Sequence, residues 1–554
     1  MISIFLGNKK IEIKSYNVLI TISLVHIYKM AEPRTRKPVY QNYYTDEDYD
    51  DVMSKLPDII KDAERKAGEI LEPTVYEKRK VMDIIKDYIK RKERIVYGGT
   101  AINEILKEVN PKDAIYDDYS FSDIEFYSPT PVPDLVELTN LLHQKGFKYI
   151  QGKEAQHEET YSIFVNLQLY CDISYVPKRI YNGIKPKKID GIIYADPHFI
   201  LIDMFRVFNS PLTAAQRLWE KVFKRMYKIL KNYPLEYFNQ AIKFPKINKD
   251  IQEYISKIKS GFMGIKEIQE YTLIGGFSAY NFFIRHAAGD RTADQMARVA
   301  YDSDDVLNLI VNVPFLELIS VNYRETVYRL YDFVKNMVDD PKEVTLEEYF
   351  LLFQFTGYSV FVKYKNIPLV RVYDTDGFCV PNIKTTNGYM YVSYQYLLMM
   401  MFINKFRSFL DKDREMYFNY GIAISNLVNA RNVYLNREKI GIINNTVFGE
   451  FKIGCVGTTS SYTRVSLLRR MEKRRMGKLV TFVYEPQNFI DDKGNSIRDF
   501  DPNKHFFRNT SGNIIRTYKN LLFKTDADGN IIKNAEIEEN YENSEEPEEQ
   551  KNEN

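Results

Sequence analysis

Cysteine, histidine and tryptophan are scarce in this sequence, whose 554 residues include three, six and one of them. Cys171, Cys379 and Cys455 lie far apart along the chain and form no CxxC pair, which favours a reducing compartment and argues against zinc. The histidines are scattered, and no two of them stand at the spacing of metal ligands. We therefore expect neither a zinc site nor a metal site built on histidine.

Long apolar runs are also missing. Residues 18–25 form an apolar run, but it is far shorter than the ~20 residues of a membrane-spanning helix. Polar residues precede this run, which is unlike a signal peptide. The residues after Met30 resemble a natural start, so residues 1–29 are expected to be an upstream extension. These features predict a soluble protein with no membrane role.

Net charge is small, at +2, so any affinity for nucleic acid must come from local basic stretches rather than from a global field. The chain is too long for one hydrophobic core, and its 44% hydrophobic and 27% charged residues are typical of a soluble globular protein. Two or three domains are therefore expected.

The composition changes several times along the chain. Apolar residues recur at helical spacing over 57–92, and the acidic C-terminus cannot bury a core. We predict six segments: a flexible arm (1–56), a helical region (57–92), a first mixed domain (93–233), a connector (234–269), a second mixed domain (270–533) and a disordered acidic tail (534–554).

A pair of glycines follows the short apolar strand at 95–97, and helical spacing of apolar residues begins directly after it. Gly98 and Gly99 would let the backbone approach a phosphate, and the helix N-terminus favours negative charge. Thr100 is expected to cap this helix and to offer its hydroxyl to the same phosphate. A plain Gly-Gly turn without a ligand is the alternative.

Three carboxylates follow the glycines on predicted strands. Asp123 and Glu125 are two residues apart and therefore project from one strand face, and Asp172 lies in the middle of a later strand at 167–176. Adjacent carboxylates repel each other unless cations lie between them. One D-x-E pair alone is usually a solvated strand face, but the ordered triple after a glycine turn favours a site for two Mg²⁺ or Mn²⁺ ions. In that site Asp123 and Glu125 bridge both ions, and Asp172 binds the ion that activates a hydroxyl.

At these residues the chain resembles the DNA polymerase β-like nucleotidyltransferases, and among them the poly(A) polymerase catalytic subunits of poxviruses and giant viruses. The family's glycine motif falls on Gly98, Gly99 and Thr100, and its metal carboxylates fall on Asp123, Glu125 and Asp172. The interval between Gly99 and Asp123 is longer than usual and contains a second acidic pair, Asp117 and Asp118. Strand alternation around residues 123 and 125 favours that pair over 117 and 118.

The resemblance implies an α/β (α+β) fold with a mixed sheet and flanking helices. It implies template-independent addition of adenylates from ATP to mRNA 3′ ends with two divalent ions. It also implies a location in the virion and host cytoplasm, and a partner that is either a methyltransferase-like processivity subunit or a second copy of the chain. The alternatives are a uridylyltransferase or CCA-adding enzyme, and a non-catalytic RNA-binding protein.

The second half of the sequence contains similar motifs. Gly275-Gly276 resembles Gly98-Gly99, residues 357–363 resemble 160–166, and the next strand places Arg371 at the position of Asp172. We interpret residues 270–533 as a second nucleotidyltransferase-like domain that has lost its metal site. An unrelated α/β domain with a coincidental glycine pair is the alternative, and a different strand order in the two halves would support it.

Two basic stretches are candidates for phosphate contacts. Lys221 and Lys224 lie on a predicted helix after the third carboxylate, within reach of a nucleotide triphosphate. Residues 464–478 contain seven cations in fifteen residues, which suits RNA phosphates, although a solvated helix face has the same pattern. The RNA-binding candidates are Arg464, Arg469, Arg470, Arg474 and Arg475. Trp219 is expected to belong to the core.

Overall fold

The computed structural model describes most of the chain. The described residues are 2–6, 9–13, 43–70, 74–116, 122–155, 160–212, 214–238, 240–244, 247–289, 309–349, 352–375, 377–457, 471 and 482–499. They divide into two compact units, Met1–Glu72 and Pro73–Asn554.

The first unit contains a hairpin and a long helix. Strand β1 (Ile2–Leu6) pairs antiparallel with β2 (Lys9–Ile13), and helix α1 spans Asp46–Ile70. The helix starts before residue 57, where helical spacing was predicted to begin. Its start is fixed by a capping box formed by Thr45 and Asp48. The Asp48 N–H donates to Thr45 Oγ1 at 3.1 Å, and the Thr45 N–H donates to Asp48 Oδ2 at 2.9 Å. The hairpin and residues 46–56 of the helix lie inside the predicted flexible arm, and residues 57–70 lie in the predicted helical region.

The second unit alternates strands and helices. Its described strands are β3 (Ile95–Tyr97), β4 (Ile124–Ser128), β5 (Gln151–Glu154), β6 (Thr160–Val165), β7 (Gln168–Tyr175), β8 (Pro186–Ile189), β9 (Ile192–Ala195), β10 (Thr272–Ile274), β11 (Leu316–Ser320), β12 (Val344–Tyr349), β13 (Ser359–Tyr364), β14 (Ile367–Asp374), β15 (Val380–Lys384), β16 (Met390–Val392), β17 (Cys455–Val456) and β18 (Val483–Tyr484). Its described helices are α2 (Val75–Arg91), α3 (Gly98–Val109), α4 (Pro131–Gln144), α5 (Lys178–Gly183), α6 (Pro197–Phe208), α7 (Trp219–Asn232), α8 (Lys249–Lys257), α9 (Lys266–Gln269), α10 (Gly276–Ala287), α11 (Tyr323–Met337), α12 (Tyr394–Leu410) and α13 (Arg414–Glu438).

The strands form two mixed sheets with the same internal order. The first sheet runs β18-β5-β6-β7-β4-β3-β9-β8, and the second runs β12-β13-β14-β11-β10-β16-β15-β17. In each sheet two pairs are parallel, β4 with β7 and β3 with β9 in the first, and β11 with β14 and β10 with β16 in the second. The shared order and directions over seven strands confirm the predicted second copy of the fold.

The strand pairing corrects the alignment of the two copies. Gly98 and Gly276 both have positive φ, at 68° and 53°, so Gly98 corresponds to Gly276 rather than to Gly275. Ser162 pairs with Asp172, and Phe361 pairs with Arg371, so Phe361 rather than Ser359 takes the position of Ser162. Short sequence similarity missed these shifts because pairing between distant strands, not local identity, determines the register.

The last described segment returns to the first sheet. Val483 and Tyr484 of β18 pair with β5, and the Tyr484 hydroxyl donates to Asn140 Oδ1 at 2.7 Å. Residues 483 and 484, which fall in the predicted 270–533 segment, therefore extend the first sheet and not the second. The other predicted segment boundaries stay predictions, and the acidic tail lies outside the described residues.

The cysteines differ from expectation. Cys379 and Cys455 form a disulfide across a sequence separation of 76 residues, and Cys171 is free and buried. The expectation of a reducing compartment relied on distance along the chain, whereas β15 and β17 pair and bring the two cysteines together. Among the described residues, no helix has the length and apolar character needed to cross a bilayer.

Candidate active site

The glycine turn closes over a carboxylate. Helix α3 begins at Gly98, whose φ of 68° lies in the left-handed region that glycine adopts easily. A Cβ at Gly98 would lie 1.7 Å from Glu125 Oε2. The Gly99 N–H donates to the same oxygen at 3.0 Å. The turn therefore requires glycine both for its backbone and for the close approach of Glu125.

Thr100 does not cap the helix, so that prediction is wrong. The N-cap residue is Tyr97, which makes no side-chain capping bond. The Thr100 hydroxyl instead donates to the Asp123 carbonyl oxygen at 3.1 Å. Because the helix begins two residues earlier than expected, Thr100 connects its first turn to the residue that precedes β4.

The carboxylates lie on neighbouring strands beside this turn. Glu125 of β4 and Asp172 of β7 are direct partners in the parallel register, and Asp123 immediately precedes β4. The Ser162 hydroxyl donates to Asp172 Oδ1 at 2.6 Å. Side chains at paired positions of adjacent strands share a face of the sheet, so the structure brings the predicted acidic residues to one place.

Burial makes this cluster electrostatically costly. Burial is the main cause that raises the pKa of Glu125 to about 7; the charges of Asp123 and Asp172 act in the same direction, and the Gly99 N–H and Arg225 act against it. The pKa of Asp172 is also raised by burial and by Asp123, against the bond from Ser162. The cluster therefore has more negative charge than its surroundings compensate.

The donor set suits a hard divalent cation, which prefers carboxylate oxygens. Within the described ranges no three acidic, histidine or cysteine side chains already converge as a metal cluster. Glu125 is turned towards the Gly99 N–H and Asp172 towards Ser162, so each carboxylate has a protein donor. The uncompensated charge fits metal ions, and binding them requires these side chains to turn.

A basic cavity lies beside the glycine turn. It has a volume of about 580 Å³, and its lining includes Arg217, Lys221, Lys224, Arg225 and Lys228. Lys221 and Lys224 are exposed, and Lys224 is paired with Glu220 at 2.6 Å. Both predicted lysines thus line a cavity large enough for a polar ligand.

Arg225 is the cation that approaches the turn itself. Its Nη1 would lie 3.4 Å from a Cβ at Gly99, and its Nη2 donates to the Tyr116 hydroxyl at 2.9 Å. The sequence-based prediction named Lys221 and Lys224 and not Arg225, because one helical turn separates several candidate cations. The sequence does not show which face of α7 is turned towards residues 98–99.

The remaining predicted residues divide into two groups. Trp219 is half-buried, and its Nε1 donates to the Val207 carbonyl at 3.0 Å, so its placement in the core stays a prediction. The second acidic pair, Asp117 and Asp118, lies outside the described residues, as do the RNA-binding candidates Arg464, Arg469, Arg470, Arg474 and Arg475.

The second copy keeps one of the carboxylates, contrary to the expectation that it had lost its acidic site. Glu317 pairs in parallel with Arg371 as Glu125 pairs with Asp172, and a Cβ at Gly276 would lie 1.7 Å from Glu317 Oε2. Glu317 is 2% exposed and Arg371 is 7% exposed. The Arg371 charge lowers the pKa of Glu317 against the larger rise that burial causes. A guanidinium thus supplies positive charge where the first copy has a third carboxylate.

We expect Gly98→Ala to reduce activity strongly, and Gly276→Ala to destabilise the fold without a comparable loss of activity. Both glycines have positive φ and touch a glutamate, so each substitution strains the backbone by about 1 kcal/mol or more and displaces that glutamate. Nucleotide transfer and thermal unfolding of both variants test this. Equal losses of activity would contradict the assignment of the site to the first copy.

Comparison with known proteins extends the similarity to both copies. The profile of the family described as Poly(A) polymerase catalytic subunit matches residues 83–214. A profile for the C-terminal part of the poly(A) polymerase catalytic subunit of APMV matches residues 249–525.

Individual relatives agree with these profiles. An Acanthamoeba polyphaga mimivirus protein named as a poly(A) polymerase catalytic subunit is 55% identical over 522 residues, which are 92% of this chain and 89% of the relative. A protein of the same name from African swine fever virus (strain Badajoz 1971 Vero-adapted) is 29% identical over 164 residues, 30% of this chain and 34% of the relative. The crystal structure of the Megavirus polyadenylate synthase matches with a TM-score of 0.81 at 58% identity, covering 91% of this chain and 99% of that one.

Proposed function

Because the chain belongs to the poly(A) polymerase catalytic subunit family of giant viruses, we propose that Asp123, Glu125 and Asp172 form the centre with which it polyadenylates RNA. The chain is a polynucleotide adenylyltransferase that adds a poly(A) tail. The observation that supports this site best is the parallel pairing of Glu125 with Asp172 beside the glycine turn.

In each cycle the 3′-oxygen of RNA attacks the α-phosphorus of ATP, the bond to the leaving pyrophosphate breaks, and the hydroxyl proton is removed. Bound Mg²⁺ or Mn²⁺ would lower the pKa of the 3′-hydroxyl and neutralise charge on the phosphates. Asp123 and Glu125 would hold both ions. Asp172, whose pKa burial raises, would accept the proton or hold the ion that activates the 3′-hydroxyl.

The triphosphate is bound by backbone and basic groups. Gly98 and Gly99 let a phosphate approach the N-terminus of α3, where the helix dipole favours negative charge. Lys221, Lys224 and Arg225 line the cavity next to this turn and contact the β- and γ-phosphates. This places the α-phosphate between the basic cavity and the carboxylates.

RNA and a partner complete the assembly. The arginines of residues 464–475 contact RNA phosphates, which predicts binding that weakens as salt rises. The relatives' name, catalytic subunit, favours a second component. We propose either a methyltransferase-like processivity subunit or a second copy of this chain.

A panel of single nucleotides tests the function. The protein is incubated with 5′-labelled RNA, Mg²⁺ or Mn²⁺, and ATP, UTP, CTP or GTP separately. We expect extension with ATP to exceed that with UTP by at least about tenfold, because a site that hydrogen-bonds one base rejects others. A preference for UTP, or for CTP followed by ATP, would indicate the uridylyl or CCA-adding alternative. If no nucleotide is added, the remaining alternative is a non-catalytic RNA-binding protein.

A further inference from the structure

The backbone of Tyr116 is anchored independently of the site. Asn103 of α3 is 4% exposed, and its Oδ1 accepts the N–H groups of Ile115 at 3.0 Å and Tyr116 at 2.9 Å. A buried amide that accepts two backbone bonds is a rigid support. The Tyr116 side chain therefore starts from a fixed point beside the glycine turn.

The Tyr116 hydroxyl connects the basic cavity to a carboxylate. It accepts from Arg225 Nη2 at 2.9 Å, and Ser122 Oγ lies 3.1 Å from it and 3.2 Å from Asp123 Oδ1. A serine hydroxyl has one hydrogen, so both of its contacts are satisfied when it donates to Asp123 and accepts from Tyr116. The result is a chain of hydrogen bonds from Arg225 through Tyr116 and Ser122 to Asp123.

This chain touches the turn where the phosphate is proposed to bind. A Cβ at Gly99 would lie 2.2 Å from the Tyr116 hydroxyl oxygen and 3.4 Å from Arg225 Nη1. The Arg225 charge also lowers the pKa of Glu125 against the rise that burial causes. Arg225 thus acts on both the cavity and the carboxylates, and Tyr116 is the residue that holds its guanidinium there.

The second copy provides an internal comparison. Asn281 corresponds to Asn103, and its Oδ1 accepts one backbone N–H, that of Val311, at 3.0 Å. An asparagine anchor therefore persists in the copy whose third carboxylate is replaced by Arg371, but the residue that it anchors is a valine, which has no hydroxyl. A structural role in the fold alone would not require the hydroxyl in one copy only.

We propose that Tyr116 is a positioning residue for adenylate transfer: its hydroxyl holds Arg225 at the glycine turn for the triphosphate and orients Ser122 on Asp123. This inference rests on the proposed function of the same site. Tyr116 acts through its two neighbours and takes no part in bond breaking.

Tyr116→Phe keeps the ring and the backbone anchor and removes only the hydroxyl. We expect kcat/KM for ATP to fall about ten- to hundredfold, mainly through KM, because a hydrogen bond to a charged group is lost. Arg225→Ala should raise the KM for ATP similarly, and the double variant should raise this KM little more than Arg225→Ala alone, because Tyr116 acts on the triphosphate through Arg225. Titration with a non-hydrolysable ATP analogue should show weaker binding to Tyr116→Phe, to Arg225→Ala and to the double variant than to the wild type, in the same order as the KM values.

Ser122→Ala tests the other end of the chain without altering Arg225. We expect a lower kcat and a higher Mg²⁺ concentration for half-maximal rate, about tenfold each, with the KM for ATP unchanged, as for loss of a group that orients a metal ligand. Tyr149→Phe removes a hydroxyl from a side chain that is 73% exposed and serves as the matched control, with wild-type kinetics expected.

The outcomes separate this proposal from the proposed function. If the wild-type protein transfers no adenylate, the proposed function fails. If it is active but Tyr116→Phe keeps the wild-type KM for ATP, or its effect on that KM adds fully to the effect of Arg225→Ala, the role of Tyr116 is refuted and the function stands.

Discussion

Glu125→Gln is expected to lower the rate of adenylate transfer by about 10³-fold. A metal ion that acts as a Lewis acid stabilises the transition state by several kcal/mol, and each 1.36 kcal/mol corresponds to a factor of about ten in rate. Glutamine keeps the size of the side chain and its bond from the Gly99 N–H. It removes one negative charge from a buried cluster in which the pKa of Glu125 is already raised to about 7. We therefore expect this variant to be at least as stable as the wild type while it loses activity.

Glu317→Gln is the matched control, because Glu317 occupies the same position in the second sheet. It is buried, and its neutralisation removes one of the negative charges that act on the guanidinium of Arg371. We expect a loss of about 1–3 kcal/mol in stability with adenylate transfer unchanged. Steady-state kinetics should show a loss of activity for Glu125→Gln only. Denaturant unfolding should show a loss of stability for Glu317→Gln only. An active Glu125→Gln protein would refute the assigned metal site.

Asp134→Ala is expected to destabilise the second unit by about 3–5 kcal/mol, because it leaves Arg94, whose side chain is only 15% exposed, without its carboxylate. Asp134 is 2% exposed and accepts from Arg94 Nε at 2.8 Å and Nη2 at 2.9 Å. The Tyr88 hydroxyl donates to the same carboxylate at 2.8 Å. The three side chains join α2, the start of β3 and α4, so the loss should appear as a lower midpoint of urea unfolding.

The second copy suggests the control for this prediction. By the strand pairing, Arg94 and Asp134 correspond to Thr272 and Thr326, whose hydroxyls lie 3.4 Å apart. Replacing both members of a buried ion pair is often much less costly than removing one. The double variant Arg94→Thr, Asp134→Thr should therefore be more stable than Asp134→Ala. If its loss equals the sum of the single losses, the pair is not coupled.

Local patterns in the sequence were enough to locate much of the site. The glycine pair between a strand and a helix, and the alternation that places Asp123 and Glu125 on one face, involve residues a few positions apart. The strand with Asp172 was predicted from the same alternation, and the structure pairs it with the strand of Glu125. The placement of Arg371 opposite Glu317 also agrees with the predicted alignment of Arg371 with Asp172.

Features that depend on contacts between distant residues were missed. Arg225 meets Tyr116 across 109 residues, and only the packing of α7 on α3 shows which cation of the helix faces the turn. Glu317 was not recognised as the counterpart of Glu125 because the match of Gly98 to Gly275 was shifted by one residue. The disulfide between Cys379 and Cys455 depends on the pairing of β15 with β17.

The sequence by itself determined the chemistry that the chain can perform: a glycine turn, three carboxylates in order, and a family resemblance that the comparisons confirm. Side-chain type and strand alternation are local properties, so they can be read without a fold. The tertiary structure alone decided which groups act on one another: Gly99 with Glu125, Tyr116 with Arg225, and Glu317 with Arg371. Burial and the pairing of distant strands set those contacts, and with them the pKa values and the roles of the residues.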